Sequence, residues 1–282
     1  MLLRLMWLRK LPSEYLLKVN LINMSQNDAK ILLWSNTAKW GFQNERDVID
    51  KFNNWKNDLL SQEWLQKMGY NLSQIEYVKA VKVTWSYKAD IQVQIQVSIK
   101  LKWEIDCQNI SVKLVSNPTG FNQIDKRWSK KYAELWNIDE KTLGLLKYFT
   151  WENPPRRPNT RDNRRMFIDE FDFQEQEHIL NFFRNNRLLI ISDLLKWRWT
   201  FSAEWMLVIL KSTGNDDCWA LEPINHVMNF YDGEVKISPQ GSLSIWKITM
   251  QRKWWDWWRD TAKMLQFKFN PALLIKKIWK QS

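Results

Sequence analysis

Residues 90–115 read DIQVQIQVSIKLKWEIDCQNISVKLV, and this stretch decides the fold prediction. Over its first ten residues the even positions are polar and the odd positions are Ile or Val, which predicts a half-buried β-strand. Its last seven residues alternate in the same way, with Ser111 and Lys113 on one face. An antiparallel hairpin that turns near residues 100–103 would place Asp90 opposite Lys113.

The rest of the chain surrounds this hairpin with helical segments and short strands. Apolar residues recur at spacings of three and four, which predicts helices, in three segments: 44–70, 123–150 and 171–196. Residues 151–165 are rich in Pro and Arg and predict a connection that a long helix cannot cross. Short strand patterns follow toward the C-terminus. The sequence therefore predicts an α/β (α+β) protein with a mixed central sheet flanked by helices.

The domain prediction is simple. We expect an N-terminal extension over residues 1–26, a single domain over 27–275 with loops that contact a ligand, and a tail over 276–282. The first segment is apolar but interrupted by charges, so it predicts neither a membrane span nor a cleaved signal peptide.

Composition narrows the classes of function. Lys and Arg outnumber Asp and Glu by 42 to 31, and the net charge of +11 indicates a polyanionic partner such as DNA, RNA or an anionic membrane. Cys107 and Cys218 lie far apart and the chain has only two His, so a tetrahedral zinc site lacks ligands. A reduced, cytoplasmic protein fits this cysteine usage best.

The hairpin also carries a candidate catalytic site. Asp90 on one strand and Ser111-Val112-Lys113 on the next match the needs of a metal-dependent phosphodiesterase: a carboxylate and the Val112 carbonyl hold Mg²⁺, and the lysine acts on water and phosphate. Ser111 stands where such sites usually have an acidic residue or Gln, so we expect a water held by Ser111, or Glu45, to complete the metal shell. On spacing alone, a surface ion pair between Asp90 and Lys113 remains the alternative.

Longer strings carry a family resemblance. These are NTAKWGFQNE at 36–45, KLVSNPTGFNQIDKRW at 113–128, NTRDNRRMF at 159–167, and QRK with DTAKMLQFKF near the C-terminus. Together they resemble the HinP-type type II restriction endonucleases, which cut duplex DNA at GCGC, and the resemblance runs from about Leu33 to Pro271 in unbroken order.

The resemblance implies the PD-(D/E)xK nuclease fold, a requirement for Mg²⁺, and catalysis by the residues that match Asp90, Val112 and Lys113. It also implies a restriction-modification system with a cognate DNA methyltransferase encoded nearby, and an enzyme that acts as a monomer or as a DNA-induced dimer. A protein with the same fold that binds nucleic acid without cutting it is the alternative, because Ser111 departs from the pattern. A membrane-surface protein is a third hypothesis.

The resemblance places a further set of residues beside the DNA: Asn117, Phe121, Asn122, Gln123, Lys126, Arg164, Arg165 and Lys253. Their chemistry suits these roles, since amides and Lys read base edges, an exposed Phe can enter a base step, and Arg binds phosphates. The neighbouring Arg156, Arg157 and Arg161 are expected to meet phosphates as well. Phe121 as an ordinary core aromatic is the alternative for that residue.

Tryptophan usage is anomalous, with 20 Trp and only 7 Gly. Members of the family read glycine at many of the polar, turn-like positions where this chain reads Trp, which predicts a UGA codon that the organism translates as glycine. The ten suspect positions are Trp34, Trp85, Trp151, Trp197, Trp199, Trp246, Trp254, Trp255, Trp257 and Trp258. Moving ten residues from the count of 20 Trp to that of 7 Gly gives 10 Trp and 17 Gly. A real Trp-rich surface for base stacking or membrane contact is the alternative.

Overall fold

The structure is a computed structural model that describes residues 45–83, 90–99, 102–211, 218–252 and 259–278. The chain divides into two units after Val48, and the second unit, Ile49–Ser282, holds the sheets described below. The helices are residues 45–53 (α1), Leu59–Lys67 (α2), Ser129–Trp136 (α3), Glu140–Thr150 (α4), Phe173–Asn185 (α5), Arg187–Leu195 (α6), Ile224–Tyr231 (α7) and Ala272–Ile278 (α8). The strands are Ile75–Lys82 (β1), Ile91–Ile99 (β2), Lys102–Val115 (β3), Asn122–Arg127 (β4), Trp205–Leu210 (β5), Cys218–Pro223 (β6), Val235–Ile237 (β7), Leu243–Ile245 (β8), Ile248–Arg252 (β9) and Leu265–Phe269 (β10).

The first sheet has the strand order β1-β2-β3-β5-β6 and is mixed, because β3 and β5 are parallel and the other neighbours are antiparallel. This confirms the predicted α+β class with a mixed sheet. The predicted register of the β2–β3 hairpin was wrong by two residues. Ile99 pairs with Lys102 and Ile91 with Ile110, so only two residues connect the strands and Asp90 comes beside Ser111 instead of Lys113.

The second sheet, with the order β4-β10-β9-β8-β7, is antiparallel and was not predicted. Its strand β4 covers residues 122–127, which we had expected at the start of a helix over 123–150. The helical part of that segment begins only at Ser129. Pairing with β10 satisfies the β4 backbone, and tertiary pairing of this kind overrides a weak local preference.

A continuous apolar core joins the two sheets through α3 to α8. In its centre the rings of Tyr132 and Trp136 stack at 4.7 Å, and both meet the ring of Phe267 edge-on. The indole N–H of Trp136 donates to Asp193 Oδ2 at 2.9 Å, so this buried Trp uses both its ring and its polar atom. The core packs one face of the second sheet against the helices.

Three suspect tryptophans have backbone angles that L-residues rarely adopt. Their φ values are 72° at Trp151, 77° at Trp197 and 50° at Trp246. Trp151 is the C-cap of α4, in the left-handed conformation where helices commonly end on glycine. Trp246 is the first residue of the two-residue turn between β8 and β9, since Ile245 pairs with Ile248. Two-residue hairpin turns with a positive φ at the first residue favour glycine at that residue.

Some predictions fall on residues that the structure does not describe. Residues 1–26 lie outside the described ranges, as do Lys253 and six of the suspect tryptophans: Trp34, Trp85, Trp254, Trp255, Trp257 and Trp258. The domain boundaries remain predictions, although α8 continues to Ile278, past the predicted end at 275. Within the described ranges, every helix is too short or too polar to span a membrane.

Candidate active site and DNA-facing surface

Asp90 is fixed at the start of β2 by its backbone and its carboxylate. Its N–H donates to Ile110 O at 3.0 Å, and its carbonyl accepts from Val83 N–H at 3.1 Å. The carboxylate Oδ2 accepts from the Val112 N–H at 2.5 Å and from the Ser111 hydroxyl at 3.2 Å. These donors hold the carboxylate in one orientation on the edge of the hairpin.

Lys113 completes the cluster. Its Nζ lies 3.2 Å from Asp90 Oδ2 and 3.2 Å from the backbone oxygen of Val112. The side chains of Lys113 and Asp90 are 20% and 24% exposed, so the ion pair is partly shielded from water but reachable from solvent. The ammonium therefore bridges a carboxylate and a carbonyl, which a simple surface ion pair does not require.

Ser111 differs from the other members because it is only 2% exposed. In this position its hydroxyl donates to Asp90 and orients that carboxylate. The predicted role of Ser111 in holding a metal-bound water remains a prediction.

The donor set at this cluster fits Mg²⁺. Asp90 and Val112 offer one carboxylate and one carbonyl, and Mg²⁺ binds through few protein oxygens because it keeps several of its waters. The described residues contain no group of three or more His, Cys, Asp or Glu side chains, so a metal bound here would rely on water for much of its shell. Glu45 begins α1, and its predicted part in the metal shell remains a prediction.

The predicted DNA-contacting segment follows β3 directly and continues into β4. Asn122 donates from Nδ2 to Leu114 O at 3.2 Å, so it connects β4 to the end of β3. Phe121 is 54% exposed, which excludes the core position that was its alternative, and Gln123 is exposed as well. Lys126 lies farther along β4 and is partly buried.

Asn117 holds the turn that precedes this strand. Its Oδ1 accepts from the Thr119 N–H at 2.9 Å and from the Thr119 hydroxyl at 2.8 Å, while the Gly120 N–H donates to Asn117 O at 2.9 Å. The side-chain oxygen is thus occupied, although the residue is exposed. The contact of Asn117 with DNA remains a prediction.

The two arginines of the 151–165 connection lie in different surroundings. Arg164 is about one-third exposed and donates from Nε to Asp162 Oδ1 at 3.0 Å. Arg165 is only 7% exposed, with Nε 3.5 Å from Asp162 Oδ2, so its position favours an internal role over direct contact with phosphate. Burial, together with the nearby charge of Arg252, lowers the pKa of Arg165 to about 10, and it stays protonated at neutral pH.

Sequence reasoning missed the centre of this arrangement, Asp162. It accepts from Arg164 and also from Arg252 Nη2 of β9 at 3.3 Å, so it anchors the Arg-rich connection to the second sheet. The string NTRDNRR contained the signal, because a single acid among three Arg in a short loop favours an internal partner. The partner on β9 lies 90 residues away and could not be read from the sequence.

Two comparisons with known proteins agree with this architecture. A crystal structure of the restriction endonuclease MspI in complex with its cognate DNA matches the chain with a TM-score of 0.60 and 10% sequence identity. The match covers 88% of this chain and 95% of that one, so the two share a fold. The R.HinP1I restriction endonuclease family matches residues 68–275, a span that includes the Asp90 cluster and both sheets. Among curated proteins, none matches this chain.

The fold and the family match define a site-specific DNA endonuclease of the type II restriction class, with a PD-(D/E)xK fold. The family resemblance predicted from the sequence is thereby confirmed, while specificity for GCGC remains a prediction. The chain belongs to the R.HinP1I restriction endonuclease family.

Proposed function

We propose that this endonuclease hydrolyses phosphodiester bonds of duplex DNA with Mg²⁺ held at Asp90 and Val112, and that it recognises GCGC. The observation that carries the catalytic part is the Lys113 ammonium lying 3.2 Å from both the Asp90 carboxylate and the Val112 carbonyl. These two oxygens are hard ligands of the kind that Mg²⁺ prefers. The recognition sequence rests on the family resemblance.

Each residue of the cluster has a separate role in the proposed hydrolysis. Bound Mg²⁺ would supply Lewis-acid stabilisation of the phosphate and activation of water. The Ser111 hydroxyl and the Val112 N–H keep the Asp90 carboxylate oriented. The Lys113 ammonium would donate a hydrogen bond to a phosphate oxygen, and its positive charge would offset the negative charge that grows during hydrolysis. A water held by Ser111, or the Glu45 carboxylate, would complete the metal shell.

The DNA would be held by the exposed residues near β4 and the Arg-rich connection. Phe121 is placed to enter a base step, Gln123 and Lys126 to read base edges, and Asn122 to keep β4 in register with the catalytic strand. Arg164 and Arg161 would meet phosphates, which position the duplex without specifying its sequence. Asn117 and Lys253 remain proposed contacts.

Digestion of plasmid DNA tests this proposal. With Mg²⁺, we expect discrete fragments whose ends all map to GCGC, and we expect none when EDTA replaces Mg²⁺. The matched control is a plasmid in which every GCGC has been changed to GCAC, which should stay intact. Binding to the GCGC plasmid without cleavage would instead support the alternative of an inactive relative.

A restriction endonuclease needs a partner that protects the host DNA. We therefore propose a cognate methyltransferase gene beside this one, and a place in the cytoplasm, where the DNA and that partner would both be found. The free thiols of Cys107 and Cys218 are consistent with a reducing compartment. The same digestion also tests whether the enzyme forms a dimer on DNA. The cleavage rate should then rise more steeply than linearly with enzyme concentration.

We further propose that the suspect tryptophans are glycine in the organism's own enzyme, through a UGA codon read as glycine. Support comes from the φ values at Trp151, Trp197 and Trp246. No other described Trp has a positive φ. The ring of Trp246 packs against Gly233, where an added Cβ would lie 2.7 Å from that ring. If the coding DNA has UGG at these positions, the proposal is wrong.

Trp246→Gly should stabilise the protein. Relief of the positive φ is worth roughly 1–3 kcal/mol, and the added chain freedom of glycine costs about 0.5–1 kcal/mol. The matched control is Trp199→Gly, since Trp199 is also exposed but has no positive φ. Urea unfolding of both variants should show a higher midpoint for Trp246→Gly alone, and a midpoint at or below that of the parent would contradict the proposal.

A further inference from the structure

One face of the second sheet carries a polar row that crosses all five of its strands. Strand register aligns one residue from each strand in the order Gln123, Lys268, Thr249, Ser244 and Lys236. The row beside it, which faces the other way, consists of Asn122 and four apolar residues: Phe269, Ile248, Ile245 and Val235. Because successive residues of a strand point to opposite faces, the polar row lies away from the apolar core.

Lys268 is the unusual member of this row. Its neighbours Phe267 and Phe269 are fully buried in the core, and Lys268 is itself partly buried on the opposite face. Among the described residues no side chain forms a hydrogen bond or ion pair with its ammonium, and its neighbours across the strands, Gln123 and Thr249, are neutral. Burial lowers the pKa of this ammonium below its usual value.

A partly buried ammonium without a partner is costly, because burial removes water that nothing replaces. Such a group is compensated when a ligand brings an acceptor oxygen. Gln123, the neighbour of Lys268 on β4, is exposed. The polar row consists of an amide, two hydroxyls and two lysines, which suits the acceptors that a DNA groove presents.

We propose that Lys268 is a further DNA-contacting residue, which donates to an acceptor oxygen of the duplex beside Gln123. The acceptor is either a base edge or a phosphate oxygen. The inference rests on the proposed function, since it takes β4 as the strand that faces DNA. It adds a residue from β10, about 145 positions away in the chain, to the surface formed by β4.

Binding without cleavage tests this role. Wild type and Lys268→Met are titrated, in EDTA, with a 20-base-pair duplex that bears GCGC and with one that bears GCAC. We expect Lys268→Met to bind the GCGC duplex about tenfold or more weakly. A loss confined to GCGC identifies a base contact, whereas an equal loss on both duplexes, with the slope of log affinity against log salt reduced by about one, identifies a phosphate contact.

Three controls keep the outcome clear. Lys141→Met removes one exposed positive charge from α4 and should leave both affinities within about twofold. Lys268→Arg retains the charge and should recover part of the affinity. Thermal unfolding should show Lys268→Met to be at least as stable as wild type, because a partly buried charge has been removed.

Unchanged affinity of Lys268→Met for both duplexes would overturn the inference while leaving the endonuclease assignment intact. Failure of wild type to bind either duplex would instead contradict the proposed function.

Discussion

Lys113→Ala is expected to reduce the cleavage rate of duplex DNA by roughly 10²–10³-fold or more, the usual cost of removing a group that stabilises transition-state charge. Its Nζ lies 3.2 Å from both proposed metal-holding oxygens. The fold should persist, because Asp90 keeps its bonds from Ser111 and the Val112 N–H. Single-turnover cleavage and DNA binding, measured on the same preparation, separate these effects.

The control for that experiment is Lys131→Ala, which removes an exposed lysine that pairs only with Glu134 on the surface of α3. It should cleave at the wild-type rate. DNA affinity of Lys113→Ala should stay within a few fold of wild type. Cleavage by Lys113→Ala at the wild-type rate would show that the lysine is not catalytic.

Asp162→Ala is expected to destabilise the protein by about 3–5 kcal/mol, the range found when one partner of a buried ion pair is removed. The side chains of Arg165 and Arg252 are 8% and 3% exposed, and both lie within 3.5 Å of Asp162 Oδ2. Without the carboxylate, two buried guanidinium groups face each other uncompensated. Urea unfolding measures the loss, and Glu177→Ala, which breaks an exposed pair with Arg184, is the control at about 0–1 kcal/mol.

The same carboxylate gives a pH dependence. Burial acts to raise the pKa of Asp162, but the hydrogen bonds from Arg164 and the charges of Arg164 and Arg252 outweigh it, and the pKa lies below its usual value of 3.8. A depressed pKa means that this stabilisation is present above the unfolded-state value and is lost as the pH falls through the folded-state value. Wild type should therefore lose more stability than Asp162→Ala on acidification below about pH 4. Equal losses would show that Asp162 is not the carboxylate responsible.

The β2–β3 hairpin with its proposed catalytic residues could be predicted because the evidence for it is local. The alternation over residues 90–115 fixes which side chains share a face, and it correctly brought Ser111 and Lys113 to the side of Asp90. The register was predicted wrongly because alternation shows only which residues share a face. A shift of the pairing by two residues keeps every side chain on the same face, so alternation does not determine the length of the turn. The predicted contact between Lys113 and Asp90 is nevertheless present. Lys113 lies two residues beyond the position opposite Asp90, and its long side chain spans that distance.

The second sheet was harder to predict because its strands are short and pair across long separations. Strand β4 pairs with β10, so the positions of the residues that we propose to face DNA depend on a partner far along the chain. The alternation of LQFKF, with Phe267 and Phe269 inward, was present in the sequence, but nothing local identified Gln123 as its neighbour. Likewise, the burial of Arg165 arises from Arg252 and Asp162 together and cannot be inferred from a cluster of arginines.

Composition and backbone geometry both favour glycine at some of the Trp positions. Exposed, turn-like positions led to the prediction of glycine, and the positive φ at Trp151, Trp197 and Trp246 gives that prediction a physical basis. By contrast, Trp64 packs against Phe52 and Trp219 at 5.3 and 6.2 Å, and Trp136 binds Asp193 in the core. Within the described ranges, some Trp residues are held by packing, whereas Trp151, Trp197 and Trp246 have backbone angles that favour glycine.

The central claim is that the Asp90 cluster is the metal-dependent catalytic centre of this endonuclease. Its most direct test is single-turnover cleavage of a GCGC duplex by wild type and by Asp90→Asn across a titration of Mg²⁺, with DNA binding measured in parallel. The predicted result is cleavage by wild type that rises with Mg²⁺ and is absent in EDTA, and no cleavage by Asp90→Asn at any Mg²⁺ concentration despite retained binding. Cleavage by Asp90→Asn with the same rate and Mg²⁺ dependence as wild type would contradict the account.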